Sequence, residues 1–280
     1  MSRPTRTAAD DTVPDHRTTW PAARALSVFV VTVLVLEALV FALRLGGTVT
    51  PFVLVVIPAA AAVAVRWISD GPGGVRILLG RLVVWRVDAR WYLVALGIPI
   101  TEKLVVDGAG ILLGLTTPDR VLGGLSMSAL VVPVVVVLPA MLEELGWRGF
   151  GAQTALDAGR SPAWAGLVIG LAFLTMHLPL YLPGHLYDGL PVWPSVLILL
   201  SSSVLLTWIY VHTSSALLAG LMHAAFNATV PLTWGLDPAW VWQARAITLA
   251  ILAGAILLSR PFRSTGQPGE QPFTTEGVRP

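Results

Sequence analysis

The chain is divided into apolar blocks of about twenty residues, the length that carries an α-helix across a lipid hydrocarbon core. Inside that core every backbone N–H and C=O must be satisfied within the protein, so only helices and closed barrels can span it. The blocks run from Ala25 to Leu43, from about Pro51 to Val65, and then from Trp91 to Leu113, Ser126 to Phe150, Pro162 to Leu182, Val192 to Val211, Ser214 to Val230 and Ala239 to Leu258. The expected fold class is therefore all-α: a polytopic membrane helix bundle of about eight transmembrane helices, residues 25–259. A polar tail over 1–24 precedes it and a flexible tail over 260–280 follows. The first block exceeds a signal-peptide core and lacks a convincing cleavage site, so it reads as a retained span.

Charge fixes the orientation and excludes other classes. Only 12% of the 280 residues are charged, against roughly 25% in soluble domains. Connections near 183–191 and 231–238 contain no Lys or Arg, whereas Arg66–Arg90, Arg148–Arg160 and Arg260–Arg263 are basic. By the positive-inside rule this places both termini in the cytoplasm, in a multi-pass protein of the cell membrane. Within the basic stretch from Trp67 to Arg90, Arg76, Arg86 and Arg90 share an arc of about 80° on a helical wheel, with Arg81 away from them. Together with Trp85 and Trp91 this reads as a helix lying on the headgroup layer. The absence of cysteine excludes disulfides, thiolate metal sites and thiol nucleophiles. No basic run interleaved with aromatics appears outside this one juxtamembrane segment, so nothing suggests nucleic-acid binding.

The polar residues inside the blocks carry the functional argument, because a charge near the bilayer centre costs at least ~2.5–3.5 kcal/mol. In Met141-Leu142-Glu143-Glu144-Leu145-Gly146-Trp147-Arg148, Glu144 and Arg148 are one helical turn apart and can neutralise one another. Glu143 has no partner on its own helix. A lone carboxyl in a low-dielectric medium holds its proton more tightly than one in water, which suits a general base working near neutral pH. Phe173 and His177 lie one turn apart in the fifth block, and His223 and Asn227 one turn apart in the seventh. With Gly159-Arg160-Ser161 as a turn and Pro162 opening the next helix, Glu143 and His177 each lie roughly 22 Å along the axis from that turn. They should therefore face each other inside the bilayer. His223 is only roughly 13 Å beyond Ser214, so its helix must start deeper or tilt. A carboxylate, two imidazoles and an amide in one place suit hydrolysis: Glu143 with His177 on a water, His223 and Asn227 on the oxyanion. The same Glu/His/His set offers a possible Zn²⁺ site, although the H-E-x-x-H signature is absent.

In this order, Glu143-Glu144-x-x-x-Arg148, Phe173-x-x-x-His177 and His223-x-x-x-Asn227 resemble the three signature motifs of the CPBP family. These are the CAAX prenyl endopeptidase and bacteriocin-processing intramembrane proteases, also called Abi. The resemblance covers about residues 125–230, the expected protease core. It implies an eight-helix intramembrane endopeptidase, open towards the cytoplasm, acting on a membrane-anchored peptide or protein. It makes Glu143 the base with His177, His223 and Asn227 the oxyanion side, Glu144 with Arg148 the supporting pair, and favours a metal-free mechanism. Eukaryotic members remove three residues from prenylated C-terminal tails; no residue in this chain speaks for prenylation.

Each motif alone has a plainer explanation, as a structural ion pair or an interhelical hydrogen bond. Glu37, Glu102, Lys103 and Asp107 match no motif; Lys103 and Asp107 are spaced to pair. His185 and His212 read as interfacial, and Trp193, Trp208, Trp234, Trp240 and Trp242 as headgroup-level anchors. The rival class is a non-catalytic scaffold or immunity protein, or a transporter, since buried acids and histidines also mark proton relays.

Overall fold

A computed structural model describes residues 20–43, 50–123, 128–230, 235–259 and 262, and among them every regular element is helical. The helices are α1 (Ala22–Ala42), α2 (Thr50–Leu54), α3 (Ile57–Gly80), α4 (Ala89–Leu112), α5 (Pro118–Gly123), α6 (Ser128–Glu144), α7 (Gln153–Asp157), α8 (Pro162–His177), α9 (Val192–Thr213), α10 (Ala216–Thr229) and α11 (Pro238–Leu258). Wider, π-helical turns over Leu145–Ala152 join α6 to α7, and 3₁₀ turns follow α3 and α8. Helix starts are capped where the sequence offers an acceptor. Asp88, Ser161, Ser215 and Asp237 accept from the backbone N–H of Arg90, Trp164, Leu218 and Trp240, which satisfies donors the helix cannot.

Among the described residues, five stretches are long and apolar enough to cross a membrane: Ala22–Ala42, Thr50–Val83, Pro162–Tyr181, Val192–Thr213 and Pro238–Leu258. This supports a multi-pass membrane protein but gives fewer spans than the eight apolar blocks. The remaining blocks form helices that are charged or short. Helix α4 carries Glu102, Lys103 and Asp107, α6 has 17 residues and α10 only 14. Leu93, Ile100 and Leu104 on α4 and Ile247, Ile251 and Leu258 on α11 are exposed. So much exposed aliphatic surface on one bundle fits acyl chains better than water.

Two sequence expectations change here. The Pro51–Val65 block breaks into α2 and the start of α3, and α3 continues to Gly80 through a kink at Gly71 (φ 68°). The expected surface helix over Trp67–Arg90 therefore belongs in part to α3, and helical structure stops at Val83. Arg81, the arginine off the common face, turns inward and donates to the Gly149 carbonyl (3.0 Å) and the Tyr210 hydroxyl, while Arg76, Arg86 and Arg90 stay exposed. The expected tails lie outside the described residues, apart from Trp20–Arg24, where α1 already begins at Ala22, and Phe262, which is buried against Val204 and Ala253. Trp234 also lies outside them.

The interior has two main parts. Phe29, Val33, Ala62, Trp147, Phe150, Ile169 and Phe173 pack α1, α3, the π-helical turns and α8 together. Ala95, Leu205, Ile209, Leu218, Met222 and Leu249 join α4, α9, α10 and α11. Without a hydrophobic force between helices in lipid, close backbone approach supplies much of the packing. Gly166-x-x-x-Gly170 provides it on α8, where added β-carbons would lie 3.3 Å from Val204 Cα and 3.0 Å from Ser203 Cβ on α9.

Candidate active site

The two adjacent glutamates point to different partners. Glu144, fully buried, accepts on Oε1 from Arg148 Nη1 (2.9 Å) and from His223 Nδ1 (2.8 Å). Arg148 Nη2 donates to Ser203 Oγ (2.8 Å), which donates to the Gly166 carbonyl (2.8 Å). One carboxylate and one guanidinium thus tie α6, the π-helical turns, α8, α9 and α10 together. An arginine this deep needs the whole set, because an uncompensated buried charge costs several kcal/mol.

Glu143 instead lines a cavity of about 430 Å³ together with His177, His223 and Asn227. It is 5% exposed, and its Oε2 has no hydrogen-bond partner among the described residues. A carboxylate oxygen placed so seeks a donor. His177 closes the last turn of α8 and donates from Nδ1 to the Phe173 carbonyl (2.8 Å). A carbonyl only accepts, so Nδ1 carries the hydrogen and the neutral ring keeps its lone pair on Nε2. The Phe173 ring lies 4.5 Å from that of His177 and 5.8 Å from that of His223, edge-on to both. Tyr187, from the loop after α8, stacks on His177 at 6.3 Å and 12°.

The helix register explains how the parts meet. The hairpin turn falls at Ala158–Ser161 as the sequence implied, with Gly159 at φ 74° and Pro162 opening α8. His223 reaches the site because α10 starts below the bundle's end: Ser215 is fully buried and its hydroxyl donates to the Val84 carbonyl (2.7 Å).

All six expected residues occupy this region: Glu143, His177, His223 and Asn227 on the cavity, Glu144 and Arg148 behind it. Asn227 lines the cavity but is exposed. No three His, Asp or Glu side chains converge for a metal among the described residues; each imidazole commits Nδ1 to a protein acceptor, which leaves Nε2 as its uncommitted nitrogen.

Sequence reasoning missed four participants. Ser203 holds Arg148, and Tyr187, Trp242 and Arg245 line the cavity. Arg245 was findable as a charge within an apolar block, with Glu102 as a candidate counter-ion; the two are 3.2 Å apart (Nε–Oε1). Trp242 is no headgroup anchor, since its Nε1 donates to Ser195 Oγ at 2.7 Å. Lys103 and Asp107 pair as expected, and Glu37 is buried on α1.

Residues 125–229 match the family described as Rce1-like: Type II CAAX prenyl endopeptidase Rce1-like. All three motifs fall within the matched range. No curated protein matches the chain.

Proposed function

From an Rce1-like segment that holds the whole residue cluster, we propose that the protein is an intramembrane endopeptidase hydrolysing a peptide bond of a membrane-associated substrate. The observation that carries this reading is the pair of free acceptors on one cavity: Glu143 Oε2 and, through its fixed tautomer, His177 Nε2. A water between them would give its hydrogens to both and turn a lone pair towards a substrate carbonyl. Attack forms the C–O bond as Glu143 takes the water proton; collapse breaks the C–N bond and the same proton goes to the leaving amine. His223 and Asn227 face the developing oxyanion. With Nδ1–H given to Glu144, His223 donates from Nε2 only as the imidazolium, so Glu144 and Arg148 together set what His223 offers.

The orientation is part of the proposal. The basic turns at 81–90 and 158–161 lie at one end of the bundle, and the positive-inside rule puts that end in the cytoplasm, with both termini. The cavity is lined at the other end by Leu186 and Tyr187 of the 182–191 loop, Leu186 being 59% exposed. Its mouth then faces away from the cytoplasm, the reverse of what the family resemblance implies.

The test is cleavage of candidate membrane peptides by the purified full chain. Glu143→Gln and His177→Ala should each lower the rate by at least about 10², and Glu143→Gln should do so without lowering the melting temperature. Wild-type rates in both variants would remove the hydrolytic assignment. Trapping substrates on Glu143→Gln, followed by mass spectrometry, would identify the natural one.

A further inference from the structure

A second hollow, of about 560 Å³, shares no lining residue with the Glu143 cavity. It lies beside the 158–161 turn and is lined by the start of α1, by Arg66 and Asp70 of α3, and by Thr154 and Asp157 of α7. Arg66 Nη1 donates to Asp70 Oδ2 (2.5 Å), and the guanidinium lies over the Phe150 ring at 5.0 Å. Asp70 Oδ1 has no hydrogen-bond partner among the described residues. Neither has Thr154 Oγ1, on a residue only 2% exposed. Gln153 Nε2 donates to Asp157 Oδ1 (2.8 Å). Two carboxylates against one guanidinium leave a net negative charge, and buried acceptors without partners call for donors. Two helix ends add to that charge. Helix α7, which continues the π-helical turns, stops at Asp157, and regular α3 geometry stops at Asp70 because Gly71 turns to φ 68°. The C-terminal end of a helix carries the negative pole of its dipole. This wall suits an ammonium group, which brings N–H donors together with its charge.

The α1 side of the hollow has the opposite character. Pro21 and Ala22 line it, and no side chain caps the N-terminus of α1. The first N–H groups of that helix therefore lack intrahelical acceptors and present the positive pole of its dipole. Exposed Arg24 stands over the Trp20 ring at 4.4 Å, and Trp20 lines the hollow as well. A helix start beside an arginine receives phosphate. Trp67 and Ile68 follow Arg66 on α3 and are 59% and 63% exposed, so apolar surface adjoins the polar hollow. An ammonium, a phosphodiester and acyl chains in one ligand describe an aminophospholipid.

We propose that this hollow binds the headgroup of phosphatidylethanolamine, with the ammonium on Asp70, Thr154 and Asp157 and the phosphodiester on the start of α1 and Arg24. A choline headgroup has no N–H to give to these acceptors, and a glycerol headgroup has no positive charge. The bound headgroup joins α1, α3 and α7. The inference stands apart from the peptidase reading, since none of its residues belongs to the Glu143 cavity.

The test is native mass spectrometry of the full-length protein in detergent with equimolar phosphatidylethanolamine, phosphatidylcholine and phosphatidylglycerol of matched acyl chains. The ethanolamine lipid should bind at least about tenfold more tightly than either of the others. Asp157→Asn and Thr154→Val should each lower that preference at least about threefold, and the double variant should bring it close to one. Asp157 is exposed, so its variant should melt as the wild type does without lipid. Should Thr154→Val lose its melting transition, Asp157→Asn carries the comparison. Equal binding of the ethanolamine and choline lipids overturns the site, as does a preference left undiminished in the variants. Tighter binding of the glycerol lipid overturns it too, and would mark a merely basic surface. Soluble glycerophosphoethanolamine and spermidine should compete weakly. Full displacement of the lipid by either would overturn the lipid and give the hollow to a soluble amine.

Discussion

Glu143 and Glu144 are chemically identical neighbours, and their surroundings give them different partners. Removing the charge of Glu144 leaves Arg148 buried without its counter-ion, so Glu144→Gln should cost about 3–5 kcal/mol. Glu143 makes no salt bridge among the described residues and leaves Oε2 without a hydrogen bond, so Glu143→Gln should change stability little while abolishing cleavage. Thermal unfolding in detergent compares the two directly; equal losses would show that both are structural. Ser203 makes a subtler case, as it accepts from Arg148 and donates to Gly166. Ser203→Ala should lower stability by about 1–3 kcal/mol, the cost of a charged donor left unpaired. A melting temperature unchanged from wild type would mean that the guanidinium finds another acceptor. The Glu144–Arg148 pair was legible in the sequence from its spacing. The bond from Glu144 to His223 was not, because it joins residues 79 positions apart.

At the scale of elements, the π-helical turns over Leu145–Ala152 do what a regular helix would not. Every one of these residues is buried, and such widened turns often occur at functional sites. Gly146 lets them press on α3: a β-carbon there would lie 2.5 Å from the Pro58 backbone. In an ordinary helix Gly→Ala gains up to about 1 kcal/mol. Here overpacking should reverse the sign and cost about 1–3 kcal/mol, readable as a lower melting temperature; a stabilised Gly146→Ala protein would contradict the tight contact. Ser215 does comparable work for α10, capping Leu218 N and bonding Val84. Its loss should cost about 0.5–2 kcal/mol and lower the cleavage rate by loosening His223. A Ser215→Ala protein with full activity would show that Glu144 alone places His223. The hairpin register from Glu143 to His177 followed from helix rise and turn chemistry. The widened turns did not, since local sequence specifies a helix there but not its winding.

Across the whole molecule, the basic turns and the 182–191 loop that lines the cavity lie at opposite ends, which makes orientation a functional question. The chain has no cysteine, so single cysteines can report it directly. Arg160 and Asp188 are both exposed, in the α7–α8 turn and the α8–α9 loop. With a membrane-impermeant maleimide on intact cells, Asp188→Cys should label at once and Arg160→Cys only after permeabilisation. The reverse pattern would put the mouth in the cytoplasm, as the family resemblance implies, and would break the positive-inside assignment.

The sequence alone determined that the chain is a helical membrane bundle, because apolar block length and charge placement are local properties that a bilayer reads directly. It also singled out six polar residues that the structure gathers on and behind one cavity, since a polar group is conspicuous wherever it stands in an apolar block. Tertiary structure decided which partner each one has. Glu144 receives His223, Arg148 rests on Ser203, and Arg245 stands 3.2 Å from Glu102, all through contacts between helices distant along the chain. Helix spacing fixes which residues share a face; only packing fixes what that face meets.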